Sequence, residues 1–270
     1  MASSQLQPAA EARIKLALLL LAAVNAAVGG CGQELDVGSD ILWTSRFETG
    51  DFSEWTGVEG GSATAFPSPN LIEVSNERAF RGSYSARLTI TTNPDGSQAN
   101  AGLGRTGFLP QEAYYSAWYY LPRTIGVGTF WVIFKLRLRT DASDATTTAE
   151  LFDLDLMTLP DGEMSLRLYD HRRGDVPLTV TPPIVPVSTW FQIEAFYRNA
   201  ADASGHLEVW LDGAQIADVT GPMAPTPWVA WDVVSVAVAL DPNTAVLFVD
   251  DCAVSRTRVG PTGIIGASSY

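Results

Sequence analysis

The chain has 270 residues, 46% hydrophobic and 10% aromatic, which is enough apolar material for a packed core and excludes global disorder. Its 17 basic and 30 acidic residues give a formal net charge of -13. That excludes a general nucleic-acid partner, because neutralising phosphates takes a basic footprint. The length fits one large all-β domain or two small ones.

Residues 1–30 read as a leader: Arg13 and Lys15 supply the positive end, and Leu16 to Val28 form an apolar run of signal-peptide length, too short to span a bilayer as a helix. Val28-Gly29-Gly30-Cys31 resembles a bacterial lipobox, which implies lipidation of Cys31 and, with Gly32 following it, outer-membrane sorting where the organism has an outer membrane. The rival reading is ordinary cleavage near Gly29, with Cys31 left to pair with Cys252. Either way the protein is exported, and the first reading anchors it at the bacterial cell envelope. Residues 31–40 are a polar tether, 41–256 the folded domain, and 257–270 a flexible tail.

From Ile41 onward no stretch keeps a 3.6-residue period, and short alternating runs recur between Gly, Pro, Asn and Asp instead. Strands are predicted over Ile41–Phe47, Tyr84–Thr91, Tyr114–Leu121, Phe130–Arg139, Leu151–Thr158, Glu163–Asp170, Trp190–Arg198, His206–Leu211, Ala214–Val219, Val233–Leu240 and Leu247–Ser255. Gly102-Leu103-Gly104-Arg105-Thr106-Gly107 spells GxGxxG, but no helix can follow into Phe108-Leu109-Pro110, so it reads as a loop. Pro177 to Pro186 holds at most an edge strand. Hairpin spacing and the missing blade repeat favour an all-β, two-sheet antiparallel jelly-roll β-sandwich over a propeller.

Phe130 to Arg139 is the most informative of these runs. Strict alternation puts Phe130, Val132, Phe134, Leu136 and Leu138 on a core face. It puts Trp131, Ile133, Lys135, Arg137 and Arg139 on the other, a cation row in an acidic protein. By the same parity Leu151, Asp153, Asp155 and Met157 share a face of the next strand, and Ser165, Arg167, Tyr169 and His171 a face of the one after.

Ser45 to Asp51 with Trp55, Tyr115 to Pro122, Trp190 to Glu194, Val209 to Gly213 and Val249 to Asp251 together resemble the concanavalin A-like jelly-roll superfamily. The match is nearest to heparin lyase I-like polysaccharide lyases and laminin-G-like modules, over about Ile41 to Ser255. Many lyase-like members keep a Gln and, two positions on, a His in the strand matching Phe130 to Arg139. Here those positions are Lys135 and Arg137, a departure better suited to holding an acidic sugar than to cutting one.

Three function classes follow. The first is a surface lipoprotein that binds a polysaccharide, acidic by the cation row, through Trp131, Lys135, Arg137, Arg139, Arg167 and Tyr169. The second is a polysaccharide lyase acting by β-elimination, with Arg137 neutralising the uronate carboxylate and Tyr169 and His171 moving protons. The third is a structural envelope protein in which Asp153 and Asp155 pair with Arg137 and Arg139, and His171 stands in a solvated turn. No cofactor is required. A structural Ca²⁺ could be clamped by Glu48, Asp51, Asp250 and Asp251 if the first and last strands pair. Cys252 reads as a small buried hydrophobe, and neither a zinc spacing nor a GxSxG elbow occurs.

Overall fold

The structure is a computed structural model and describes residues 40–59, 70–91, 99–105, 109–139, 148–224, 229–241 and 244–262. The leader, Cys31 and most of the tether, all within residues 1–39, lie outside the described residues.

Among the described residues there are fifteen strands: β1 (Ile41–Ser45), β2 (Gly57–Glu59), β3 (Leu71–Ser75), β4 (Ser85–Thr91), β5 (Ala99–Arg105), β6 (Glu112–Tyr120), β7 (Gly126–Arg139), β8 (Thr148–Thr158), β9 (Met164–Asp170), β10 (Gly174–Val176), β11 (Trp190–Arg198), β12 (His206–Leu211), β13 (Ala214–Thr220), β14 (Val229–Asp241) and β15 (Thr244–Ser255). They form two antiparallel sheets. The back sheet runs β13-β12-β11-β6-β15-β4-β3, with β1 also on β15; the front sheet runs β10-β9-β8-β7-β14-β5-β2. This is the two-sheet jelly-roll β-sandwich that the alternating runs predict.

The core lies between the sheets, where the odd positions of β6 and β11 (Tyr115, Ala117, Tyr119; Phe191, Ile193, Ala195, Tyr197) meet Leu136, Leu154 and Trp231 of the front sheet. Trp231 is fully buried at the centre of an aromatic cluster. Its ring centroid is 5.5 Å from Tyr115, 5.8 Å from Phe134, 6.0 Å from Trp43 and 6.1 Å from Trp55.

Two expectations are corrected here. The glycine-rich stretch read as a loop is largely strand: Gly102 to Arg105 belong to β5, between β14 and β2. Residues 257–262, assigned to a flexible tail, lie on the outer face of the back sheet. There the fully buried Glu194 side chain accepts the N–H of Val259 (2.6 Å) and an Arg258 Nε–H (3.1 Å), and Gln192 donates Nε2–H to the Gly260 carbonyl (2.7 Å). A buried carboxylate with both a cation and a backbone donor is well satisfied, and that pins the segment.

The β7–β8 pair of the front sheet departs from strict alternation at two bulges. In β7, Val132 faces Asp155 and Phe134 faces Leu154, so Ile133 is an extra residue against β8. In β8, Leu136 faces Phe152 and Arg137 faces Glu150, so Leu151 is the extra residue. Each bulge turns two successive side chains toward the same face and inverts the parity beyond it.

Candidate functional site

The bulges decide which side chains reach the outer face of the front sheet. Trp131 and Ile133, assigned to the groove, are fully buried in the core, while Phe130 and Val132, assigned to the core, line the outer face. Leu151 likewise goes to the core, and Glu150, which the predicted strand left out, takes its place on the outer face. Beyond the bulge in β7 the parity predicts correctly: Phe134, Leu136 and Leu138 are core, and Lys135 faces out.

A cleft of about 380 Å³ results, lined by Phe130 and Val132, by Lys135, by Glu150, Asp153 and Asp155, and by Arg167, Tyr169 and His171. Lys135, with only 6% of its side chain exposed, hydrogen-bonds Glu150 and lies 3.6 Å from Asp153. His171 Nε2 is 2.9 Å from Asp153 Oδ2 and 3.3 Å from Glu150 Oε2, and its ring meets Tyr169 edge to face at 5.1 Å. Arg167 donates Nε–H (3.0 Å) and Nη2–H (2.5 Å) to the same oxygen, Asp155 Oδ2, and its guanidinium lies 5.5 Å from the Tyr169 ring centroid.

The expected ion pairs are therefore rearranged. Asp155 pairs with Arg167, and Asp153 with Lys135 and His171 rather than Arg137. Arg137 instead binds Asp232 of β14, outside the cleft, with Nη2 2.9 Å from Oδ1. Arg139 stands opposite Thr148 at the end of β7, and its side chain lies outside the described residues. The cleft is thus a balanced network of charges rather than a bare cation row.

Burial and pairing pull its carboxyls in opposite directions. Burial pushes Asp153 up against the pull of Lys135 and His171, and pushes Asp155 up to about 6 despite Arg167. Asp155 is 1% exposed, and its Oδ1 has no hydrogen-bond partner among the described residues. For the half-exposed Glu150 burial acts upward too, but the Lys135 hydrogen bond and charge outweigh it and hold the carboxyl low.

Two members of this network escaped sequence reasoning. Glu150 falls one residue before the predicted strand, and Asp232 one residue before the predicted start of β14. Asp232 sits opposite Lys135 across β14 and β7, so a carboxylate inside an apolar strand was the available signal. It also explains the glycine-rich β5. A Cβ on Gly104 would fall 2.8 Å from Asp232 Oδ1 and 3.9 Å from Arg137 Nη2. Glycine in a strand interior ordinarily weakens it, so Gly104→Ala without the clash would stabilise by about 0.5–1 kcal/mol. The expected result is instead a loss of about 1–3 kcal/mol in urea unfolding, because the buried ion pair must shift.

Glu48, Asp51, Asp250 and Asp251 do not converge on a cation. Glu48 accepts the N–H groups of Ser83 and Tyr84, and a side chain at Gly82 would overlap it. Asp51 caps its own turn through Ser53. Asp250 accepts from Phe80 and Arg81, and Asp251 pairs with Arg46 and Arg81. These carboxylates hold loops with protein donors. Among the described residues, the groups of three potential ligands are Glu150–Asp153–His171 and His206–Glu208–Asp218. In the first, the Lys135 ammonium already occupies the place of a cation. Cys252 is unpaired and fully buried, and burial pushes its thiol up, as suits a core residue.

The sandwich is of the kind found in several polysaccharide lyases. The endo-β-1,4-glucuronan lyase of the fungus Trichoderma reesei superposes with a TM-score of 0.64 at 12% identity, over 84% of this chain and 100% of that one. An alginate lyase of Aplysia kurodai gives 0.53 at 10% identity, over 80% and 99%. The globular domain of T. cruzi calreticulin gives 0.51 at 12% identity, over 81% and 88%, so the fold by itself does not specify lyase chemistry. No protein-family model matches the chain, and comparison with curated proteins finds no match.

Proposed function

We propose that this is an acidic-polysaccharide-binding domain of the concanavalin A-like type, which holds a uronate-bearing chain in the cleft of Lys135, Arg167, Tyr169 and His171. The observation that carries this reading is the convergence of an ammonium, a guanidinium, a phenol and an imidazole around one open cleft. Tyr169 offers a ring face to a sugar, and Arg167 offers the fork geometry that suits a carboxylate. The fold likeness to lyases of glucuronan and alginate supports the same substrate class.

Asp155 competes with the ligand for Arg167, which fixes the sign of the pH dependence. As pH falls through about 6 Asp155 takes up a proton and releases its hold on Arg167, while solvated uronate carboxylates, acids of the ordinary carboxylate range, stay ionised. Titration with alginate and glucuronan oligosaccharides is expected to show affinity rising several-fold from pH 7.5 to pH 5, and falling at least tenfold in Arg167→Ala. No binding at either pH would end the reading.

A second reading, β-elimination, is favoured by one observation: His171 is oriented by Asp153 and stacked edge-on against Tyr169, a base and an acid side by side. Lys135, rather than the displaced Arg137, would then neutralise the substrate carboxylate. Ultraviolet absorbance of unsaturated uronate ends, lost in Tyr169→Phe, would establish it; flat absorbance with bound polymer would leave binding alone.

We also propose anchoring at the cell envelope through lipidated Cys31. Palmitate labelling that vanishes in Cys31→Ser is the expected outcome.

A further inference from the structure

Beside the charged cleft lies a second, roomier cavity of about 530 Å³, between the β8–β9 hairpin and the proline-rich segment after β10. Met157, Leu159, Val176, Pro177, Leu178, Pro182 and Pro183 supply its apolar walls, and Arg167 belongs to the walls of both cavities. The two cavities therefore adjoin at the Arg167 side chain.

The hydroxyls bordering this cavity are already committed. Thr158 Oγ1 donates to the Ile125 carbonyl (2.6 Å), Ser165 Oγ to that of Pro183 (3.0 Å), and Thr181 Oγ1 to that of Leu178 (3.2 Å). With their protons so engaged these three hydroxyls have no donor to spare, and a bare sugar hydroxyl entering would exchange water for an incomplete set of hydrogen bonds, which is unfavourable. An apolar substituent would gain by burial. The surroundings agree: Val180 and Ile184, two of the three large hydrophobics most exposed among the described residues, stand on the same segment.

Building on the polysaccharide-binding reading, we propose that this cavity is an adjoining subsite for an ester-bearing sugar of the same chain, an O-acetylated uronate, with Arg167 dividing carboxylate from ester. Met157 is the specificity-determining side chain at its floor. It is half-buried on the outer face of β8, two residues beyond Asp155, and lies outside the charged cleft.

The test compares O-acetylated alginate and O-acetylated glucuronan oligosaccharides with the same samples after alkaline deacetylation, by calorimetry at pH 5.5. The acetylated form is expected to bind about fourfold more tightly, the gain from burying one methyl. Met157→Gln, similar in length but polar, should abolish that difference and keep the affinity for the deacetylated form, which also reports correct folding. Leu178→Gln serves as a second variant with the same expectation. Equal affinities for both forms in the native protein would overturn the subsite and leave the charged cleft standing. No binding of either form would remove both. Concentration-dependent self-association lost in Met157→Gln would assign the cavity to a second copy of the chain and overturn the proposal.

Discussion

Trp231→Ala is expected to destabilise the domain by about 3–5 kcal/mol, a large share of the stability of an ordinary domain. The indole is fully buried, and four aromatic rings from β1, β6, β7 and the turn after β1 surround it within 6.1 Å. These rings join both sheets, so they cannot collapse into the void without moving the sheets together. Trp231→Phe separates cavity from chemistry. The indole Nε1 is buried without a hydrogen-bond partner among the described residues, so its removal forfeits no bond. The phenylalanine variant should therefore lose well under half as much in urea unfolding. Equal losses would show that the aromatic cluster is not a packing centre.

Lys135→Met should cost on the order of 3 kcal/mol at pH 7.5, because removing one member of a buried charge network leaves the others uncompensated. Lys135 is flanked in register by Asp153 on β8 and Asp232 on β14, and its ammonium serves Glu150 and Asp153. The pH dependence identifies the cause. Burial already pushes Asp153 up, and Lys135 is the largest influence opposing it. Without the lysine that carboxyl rises further. A carboxyl raised in the folded state binds a proton where the unfolded chain does not. The stability it withdraws is therefore recovered as pH falls through its folded pKa, toward the ordinary carboxylate range. The deficit of Lys135→Met should shrink markedly between pH 7.5 and pH 5 in denaturant titrations. A deficit unchanged with pH would assign the effect to packing of the lysine stem instead.

The cleft also shows why a row of like charges in a sequence is a poor guide to the field of a surface. Lys135, Arg137 and Arg167 each face a carboxylate brought in by another strand: Asp153, Asp232 and Asp155. In the proposed binding reading, an acidic sugar would compete with Asp153 for Lys135 and with Asp155 for Arg167. That is why affinity should depend on the protonation of Asp155 more than on the number of cations.

Much of the architecture was legible in the chain. Trp190–Arg198 and His206–Leu211 form strands over the predicted bounds, because alternating apolar and polar residues leave one face to bury and Asp212-Gly213 turns the chain after the second. Arg167, Tyr169 and His171 line one cleft with the spacing of two that β9 and the turn after it carry. The short strands β2, β3 and β10 and the glycine-rich β5 were not legible, since three to five residues show little period and glycine has no side chain to show one.

The sequence by itself determined an all-β sandwich with a polar outer face on its front sheet, because period-two hydropathy is a local property of each strand. Only the tertiary structure decided which residues of β7 and β8 stand on that face. The run Phe130-Trp131-Val132-Ile133-Phe134 is apolar on both sides, so nothing in its hydropathy marks the bulge at Ile133 that sends Trp131 inward and Val132 outward. A bulge is set by how many residues two paired strands place between successive hydrogen bonds, and a single strand does not carry that count.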